Sequence, residues 1–345
     1  MLHTLTIQFK ILYRQRQVQI MLKIVLFSAL FFVLYAQLST GIQNIPWEEV
    51  KKYWVEQFGL HNVLLIGAAL LLMPLNWALE TEKWRCLLRP ALPISFSKGF
   101  RAVLAGLTVS LFTPNRIGEY GGRVLMVNSE HRLHAVFATI MGSAAQWLAL
   151  LGGGLIGLFY LLYRQLPPQD FYLYAQVLLL LGICLLLVLV FCYYRMNSFV
   201  RNVMKRRLTA AWASSFQQLL QLEYSIANLN KALLFSLMRY AVYSIQYLII
   251  LYSFGFECGI LEGLAAISFI FLLQTGLPIP TSMGLLARGS IALWVFGWLM
   301  KGMPEADLTL QTAVLASTFL LWFINVIVPA MLGSFWIIGR TFQEK

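Results

Sequence analysis

The sequence predicts an all-α polytopic membrane protein. Hydrophobic residues occupy 59% of the 345 positions and charged residues only 12%, a composition well outside that of soluble globular domains. Several apolar blocks reach the length of about 20 residues that a helix needs to cross a bilayer. The polar gaps between them rarely exceed about thirty residues, which is short for a separate soluble domain. Any activity is therefore expected in or at the bilayer.

Six apolar blocks are predicted to cross the membrane completely. Two further regions, Ala102–Phe112 and Ile291–Met300, cover only about half a bilayer, since a helix rises about 1.5 Å per residue. Each of these short regions adjoins a segment rich in proline and glycine. The predicted full spans are residues 18–38, 61–79, 134–163, 171–194, 232–254 and 308–339.

Lysine and arginine collect before the first predicted span, after the second and after the fourth. By the positive-inside rule these segments face the cytoplasm, and both termini are then inside. The opposite loops hold few basic residues. The cationic flanks include Lys10, Arg14, Arg16 and Lys23, then Lys83, Arg85, Arg89, Lys98 and Arg101, and finally Arg195, Arg201, Lys205, Arg206 and Arg207.

This orientation predicts two re-entrant helical hairpins. The second span ends inside and the third begins inside, so residues 95–132 enter and leave from the cytoplasm. By the same reasoning residues 262–300 enter and leave from the external face. Each half of the chain, residues 1–165 and 166–345, is then span, span, hairpin and span in opposite orientation, which is an inverted-topology repeat.

The two predicted hairpin tips share a pattern of proline, glycine and arginine. Pro114 to Gly118 reads PNRIG and precedes Arg123, while Pro280 to Gly284 reads PTSMG and precedes Arg288. An irregular backbone at membrane depth is tolerated only beside protein or a water-filled cavity. The tips therefore predict a central cavity.

Helix-start signals at both tips predict an anion site there. Thr113 before Pro114 is typical of an N-cap followed by the first helical residue, and a helix N-terminus attracts anions. The arginine fork suits phosphate oxygens. The candidate substrate-binding residues are Thr113, Asn115, Arg116, Glu119, Arg123, Thr281, Ser282 and Arg288.

Several of these polar residues allow two interpretations. Glu119 either pairs with an arginine or couples movement to an ion gradient. Arg123 either binds the substrate or anchors the hairpin by snorkelling to the cytoplasmic interface. Glu80, Arg239 and Gln274 are further candidates for the cavity lining, and Arg239 can also snorkel. The helix–helix hydrogen bonds typical of membrane proteins are expected for Asn76, Gln146, Gln246, Gln274 and Asn325.

The sequence favours neither nucleic acid nor a metal as a partner. Although the formal net charge is +12, the basic residues form short juxtamembrane clusters. Its four cysteines are scattered without metal-ligand spacing. His131 and His134 lack a third ligand nearby in the sequence. No cofactor and no metal are expected, and the oligomeric state is left open.

Three segments resemble a known family. TPNRIGEYGGR is similar to the TPxRxGE motif of the flippase-like transmembrane family named after lysylphosphatidylglycerol synthase, and NWALETEKWRCLLRP resembles the segment that precedes it there. IPTSMGLLARGSIAL resembles the second hairpin of the Bacteroidetes branch. The resemblance implies a protein that moves a lipid, because the family's membrane region is associated with flipping aminoacylated phosphatidylglycerol. We expect no soluble synthase domain in this chain, and Arg288 stands near the position of a family glutamate.

The expected function is therefore that of a lipid flippase or transporter in a bacterial inner membrane. Its substrate would be a membrane phospholipid or polyprenyl-linked lipid with an anionic or phosphate-bearing headgroup. A membrane-embedded enzyme acting on a lipid-linked substrate is the alternative, with Glu119, Glu80 and Glu262 as candidate groups. A structural or partner-binding role is the third possibility, and we expect no enzymatic activity.

Overall fold

The computed structural model describes residues 48, 51, 52, 55, 59–111, 113, 117–165, 175–207, 224–275, 284–299 and 308–340. All regular elements in these ranges are helices, and these ranges contain no strand. A 3-10 turn, Ser129–His131, precedes α4, and a π-helix, Phe323–Ile327, joins α9 to α10. The helices are α1 (Leu60–Leu88), α2 (Phe96–Leu111), α3 (Gly118–Val124), α4 (Arg132–Gln165), α5 (Gln176–Arg207), α6 (Ile226–Ser253), α7 (Ile260–Thr275), α8 (Gly284–Leu299), α9 (Leu308–Trp322) and α10 (Val328–Arg340).

Five helical segments are long and apolar enough to cross a membrane. They correspond to the second to sixth predicted spans, and they confirm the prediction of an all-α membrane protein. The first predicted span, residues 18–38, lies outside the described residues. The five segments are Leu60–Leu88, Ser129–Arg164, Gln176–Met196, Ile226–Ser253 and Gln311–Trp336.

The helices of the two predicted hairpins are shorter than the spans. Helices α2, α7 and α8 have 16 residues each, or about 24 Å at 1.5 Å per residue, less than the roughly 30 Å of a hydrocarbon core. Helices α2 and α8 are nevertheless longer than the corresponding half-spans that the sequence predicts, Ala102–Phe112 and Ile291–Met300. Helix α3 has only 7 residues. Helix α3 packs back against α2, and α8 packs against α7.

Glycines allow α3 to lie directly on α2. A Cβ atom on Gly118 would collide with the carbonyl oxygen of Val109, and one on Gly122 would lie 2.6 Å from the oxygen of Ala105. A Cβ on Gly106 would lie 2.9 Å from the Cγ atom of Arg123. Gly118 and Gly122 of the GEYGGR segment therefore serve backbone contact between the two helices.

Helices α4 and α10 each pack on a helix of one of the two predicted hairpins. Helix α4 packs on α7, and α10 packs on α2. A Cβ on Gly157 of α4 would lie 2.6 Å from the oxygen of Ala265, and one on Gly333 of α10 would collide with the oxygen of Leu104. Small residues at such contacts are the usual means by which membrane helices associate.

Helices α1 and α6 form the central contact of the molecule and run antiparallel. The Nε2 atom of Gln246 donates to the carbonyl oxygen of Ala69 at 2.8 Å. The Nε atom of Arg239 donates to Oδ1 of Asn76 at 2.7 Å. Residue numbers therefore fall along α6 as they rise along α1. The polar side chains of both helices meet at this contact.

Replacing Gly122 with alanine tests the close packing of α2 and α3. We expect Gly122→Ala to lower the free energy of unfolding by about 1–3 kcal/mol, the usual cost of overpacking, and to lower the midpoint of thermal unfolding in detergent. Gly121 is the matched control, because a Cβ there would meet nothing within 4 Å. Equal midpoints for Gly121→Ala and Gly122→Ala would contradict the described packing.

Candidate functional site

The site begins with a polar stripe on α1. Asn76, Glu80 and Lys83 occupy one face of the helix, because positions three and four apart are neighbours on a helix surface. They are 1%, 5% and 2% exposed. Charged side chains within a membrane span are costly and face the protein interior. The stripe therefore faces the neighbouring helices.

Glu80 is held by three cations from three helices. Its Oε2 atom lies 2.6 Å from Nζ of Lys83 and 2.6 Å from Nη1 of Arg239 in α6. Its Oε1 atom accepts from Nη2 of Arg123 in α3 at 2.8 Å. Charge-assisted hydrogen bonds are the strongest of their kind. One carboxylate thus joins α1, α3 and α6.

Arg123 is enclosed by protein. Its side chain is 3% exposed, and its Nη2 atom lies 3.5 Å from Oε2 of Glu119, one turn earlier in α3. Its guanidinium lies over the ring of Trp84 at 5.7 Å, which is within cation–π range. This burial contradicts the alternative in which Arg123 snorkels to the interface. We call Glu80, Lys83, Glu119, Arg123 and Arg239 the Glu80 cluster.

Arg239 is the most accessible cation of the Glu80 cluster. Its side chain is 16% exposed, against 3% for Arg123 and 2% for Lys83. Its guanidinium lies 4.9 Å from the ring centre of Trp77, and Asn76 accepts from its Nε atom. Arg239 is therefore fixed on one side and partly open on another.

Further hydrogen bonds extend the cluster to the π-helix and to α4. Asn325 of the π-helix donates to Oε1 of Gln246 at 2.8 Å and accepts from Nδ2 of Asn76 at 3.1 Å. Lys83 donates to Oε1 of Gln146 in α4 at 3.3 Å. The predicted helix–helix hydrogen bonds are confirmed for four residues: Asn76, Gln146, Gln246 and Asn325. The π-helix supplies one of them, and such irregular turns are frequent at functional sites.

Three buried N–H groups of Arg123, Trp77 and Trp322 lack a hydrogen-bond partner among the described residues. They are the Nε1 atoms of Trp77 and Trp322 and the Nε atom of Arg123. Each unsatisfied buried donor costs about 1–3 kcal/mol. Within the described part of the cluster, three cations face two carboxylates, Glu80 and Glu119. The arrangement is suited to receive an anion with hydrogen-bond acceptors.

A cavity of about 190 Å³ lies beside the cluster, where α1 ends and α2 begins. Trp84 lines this cavity and also contacts the guanidinium of Arg123 through its ring. The lining contains none of the five residues of the Glu80 cluster. Its lining consists of Trp84, Leu92, Pro93, Ile94, Ser95, Lys98, Ala102, Met126, Val127 and Asn128.

The structure brings together four of the predicted site residues, namely Glu80, Glu119, Arg123 and Arg239. Arg288 is half-buried in α8 and Gln274 is half-buried in the last turn of α7. These two helices pack mainly against each other and against α4 and α9. Four predicted residues lie outside the described ranges: Asn115, Arg116, Thr281 and Ser282.

Thr113 contacts the start of α3. Its Oγ1 atom accepts a hydrogen bond from the backbone nitrogen of Gly118 at 2.7 Å. Helix α3 begins at Gly118, and its 7 residues make about two turns; the predicted start at Pro114 lies outside the described residues. The described positive charge at this tip therefore comes from Arg123 rather than from a long helix dipole.

Lys83 is the functional residue that the sequence prediction missed. It was assigned to the cytoplasmic flank of the second span, and this assignment is wrong because α1 continues to Leu88 and buries the ammonium group. Its spacing of three residues from Glu80 is the signal that could have identified it. Glu80 and Lys83 together mark a polar helix face rather than a helix end.

A comparison with protein families gives one match. The model of the lysylphosphatidylglycerol synthase TM region matches residues 20–327, which is most of the chain. No curated protein and no solved structure is detectably similar to the chain.

Replacing Glu80 tests the ion cluster. Glu80→Gln leaves three buried cations facing one remaining described carboxylate, and we expect it to lower the free energy of unfolding by about 3–5 kcal/mol. The matched control is Glu262→Gln, because Glu262 pairs with Arg164 on an exposed surface at 2.9 Å. Thermal unfolding in detergent measures both variants. Equal midpoints for the two would show that Glu80 is not the centre of a buried cluster.

Proposed function

Because the chain belongs to the family of the lysylphosphatidylglycerol synthase TM region, we propose that it is a lipid flippase or transporter. It moves the anionic or phosphate-bearing headgroup of a lipid across a bacterial inner membrane. Membership of the family supports a role in lipid handling. The transport activity, its substrate and its mechanism are our proposal.

The packing of α4 on α7 and of α10 on α2 supports two inverted halves, residues 1–165 and 166–345. In this scheme α1 is equivalent to α6, α2 to α7, and α4 to the segment from α9 to α10. A two-fold axis in the membrane plane pairs each third span with the hairpin of the other half, and α4 does pack on α7 and α10 on α2. The equivalent helices α1 and α6 also run antiparallel, as this symmetry requires.

Helix directions support two hairpins that enter from opposite sides. Helix α2 is antiparallel to α10, since Thr108 donates to the oxygen of Ala330 while Gly333 approaches Leu104. Helix α7 is antiparallel to α4 in the same way, because Arg164 pairs with Glu262 while Gly154 contacts Leu272. With α1 ending at the cytoplasm, the first hairpin opens there and the second opens at the external face.

The observation that carries the proposal is the Glu80–Arg239 ion pair. Glu80 belongs to the first half and Arg239 to the second, so the pair joins the two halves inside the membrane. Phosphate oxygens compete with the carboxylate of Glu80 for the Arg239 guanidinium, while the acyl chains stay in the lipid. Rocking of one half against the other then exposes the headgroup to each side in turn.

The cations around Glu80 and Glu119 favour a role in transport over a role in catalysis. A general base needs a carboxylate within reach of a substrate proton. Glu80 is instead surrounded by Lys83, Arg123 and Arg239, and Glu119 lies beside Arg123. In our proposal both carboxylates are counter-ions, and the chain is not an enzyme.

Arginine substitutions test the transport proposal. In proteoliposomes with fluorescently labelled phosphatidylglycerol, we expect Arg239→Ala to slow translocation about 10-fold to 100-fold, because a hydrogen bond to a charged group contributes about 1.5–3 kcal/mol. Dithionite quenching of the outer leaflet measures the rate. We expect Arg116→Ala and Arg288→Ala at the hairpins to slow it as well.

Arg164→Ala is the matched control for this assay. Arg164 forms an exposed ion pair far along α4 from the Glu80 cluster, so its loss should leave the rate unchanged. Wild-type rates in the Arg239, Arg116 and Arg288 variants would refute the proposal.

Site-directed labelling tests the opposed hairpins. In a cysteine-free background, we expect a maleimide that cannot cross membranes to label Asn128→Cys only from the cytoplasmic face. Glu257→Cys, between α6 and α7, should be labelled only from the external face. Both positions are exposed. Labelling of both from the same face would exclude the inverted arrangement.

A further inference from the structure

We infer that the Glu80 cluster selects its lipid by headgroup charge. It accepts a headgroup with a net negative charge, such as the phosphodiester of phosphatidylglycerol, and it rejects a headgroup with a net positive charge. Glu80 acts as the internal counter-ion that the phosphate replaces at Arg239. This inference rests on the proposed function and specifies its substrate class.

Charge balance is the first argument. The described cluster contains three cations and two carboxylates, so it carries one positive charge without a counter-ion. The neighbouring Arg85 pairs with Glu82 and leaves this balance unchanged. A substrate that lowers this positive excess is therefore favoured in a low-dielectric interior.

The unsatisfied donors are the second argument, and they are independent of the charge count. Trp77 and Arg123 are 3% exposed and Trp322 is 1% exposed, yet each has a buried N–H without an acceptor among the described residues. Trp77 lies under Arg239, and Trp322 lies one turn before Asn325. The anionic oxygens of a phosphodiester accept hydrogen bonds and donate none. A phosphodiester therefore supplies the hydrogen-bond acceptors that these three N–H groups lack.

The ion pairs allow the exchange that this inference requires. When Arg239 turns to a phosphate, Glu80 still keeps Lys83 on Oε2 and Arg123 on Oε1. Arg239 remains placed by Asn76 and by the ring of Trp77. The carboxylate is therefore neutralised before and after binding. Because Arg239 is also the most exposed cation of the cluster, it is the partner that the headgroup reaches.

A lysyl ester of phosphatidylglycerol presents the opposite chemistry. Its phosphodiester carries one negative charge and its lysyl group carries two ammonium groups, so the headgroup is positive overall. Those ammonium groups would add donors and positive charge to a site that already has both in excess. The chain's cluster is thus built for the unmodified anionic lipid rather than for its cationic lysyl ester.

Competition between lipids tests this selectivity. The full chain is reconstituted in phosphatidylcholine vesicles with labelled phosphatidylglycerol, and unlabelled lipids are added. We expect phosphatidylglycerol to slow translocation of the label at a concentration at least about tenfold below that needed for lysylphosphatidylglycerol. Equal or stronger competition by the lysyl lipid would overturn the inference.

Charge variants provide a second readout. Arg239→Gln removes the positive excess, and we expect the preference for phosphatidylglycerol over the lysyl lipid to shrink at least about threefold. Arg164→Gln makes the same change in net charge at an exposed pair, and the preference should stay at the wild-type value. Glu119→Gln adds to the excess without removing Glu80, and it should strengthen the preference. An unchanged preference in both cluster variants would overturn the inference.

Binding measurements separate this inference from the transport proposal. Native mass spectrometry of the chain in detergent reports the bound lipid even when no translocation occurs, and phosphatidylglycerol should exceed the lysyl lipid among bound species. A chain that flips both lipids equally supports transport and refutes the charge selection. Inorganic phosphate that displaces phosphatidylglycerol at equal concentration would show a site for soluble phosphate, and would also refute it.

Discussion

A carboxylate buried within a membrane span constrains the whole first half of the molecule. Glu80 lies two turns before the end of α1, and an isolated charge there is costly to bury. The cations that neutralise it come from three different helices. Helix α3 must therefore fold back far enough for Arg123 to reach Glu80, and α6 must cross α1 at Arg239. The position of the first hairpin follows from this requirement.

Close backbone contact makes that folding back possible. In lipid the hydrophobic effect does not drive helices together, so packing and hydrogen bonds carry the association. Gly118 and Gly122 let α3 lie on α2, and Gly333 lets α10 lie on the other side of α2. The short hairpin helix α2 is thus held between two partners. The stability of the fold and the position of Arg123 depend on the same glycines.

Much of this organisation could be predicted from the sequence, because apolar length and glycine position are local signals. The sequence predicts the described spans and the break near Thr113, and it names Glu80, Arg123 and Arg239 as candidate site residues, but it does not predict that they pair with one another. It does not name Lys83, since basic residues near a predicted span end usually mark the interface, and only the continuation of α1 to Leu88 shows that it is buried. Pairing across helices depends on rotation and crossing, which residue spacing along one chain does not determine.

The same ion pairs that hold the fold also set how easily it can change. The Oε1 atom of Glu80 contacts Arg123 in α3, and its Oε2 atom contacts Arg239 in α6. Loss of the Arg239 contact therefore leaves α3 attached to α1 through Arg123. A phosphate that takes Arg239 replaces an existing interaction instead of adding to a complete one. In our proposal Glu80 keeps Lys83 and Arg123 as counter-ions after Arg239 turns to the phosphate, so binding leaves no carboxylate unpaired. In the proposed transport, this exchange lets a headgroup enter and leave the membrane interior without isolating a carboxylate, and the movement takes place at the contact between α1 and α6.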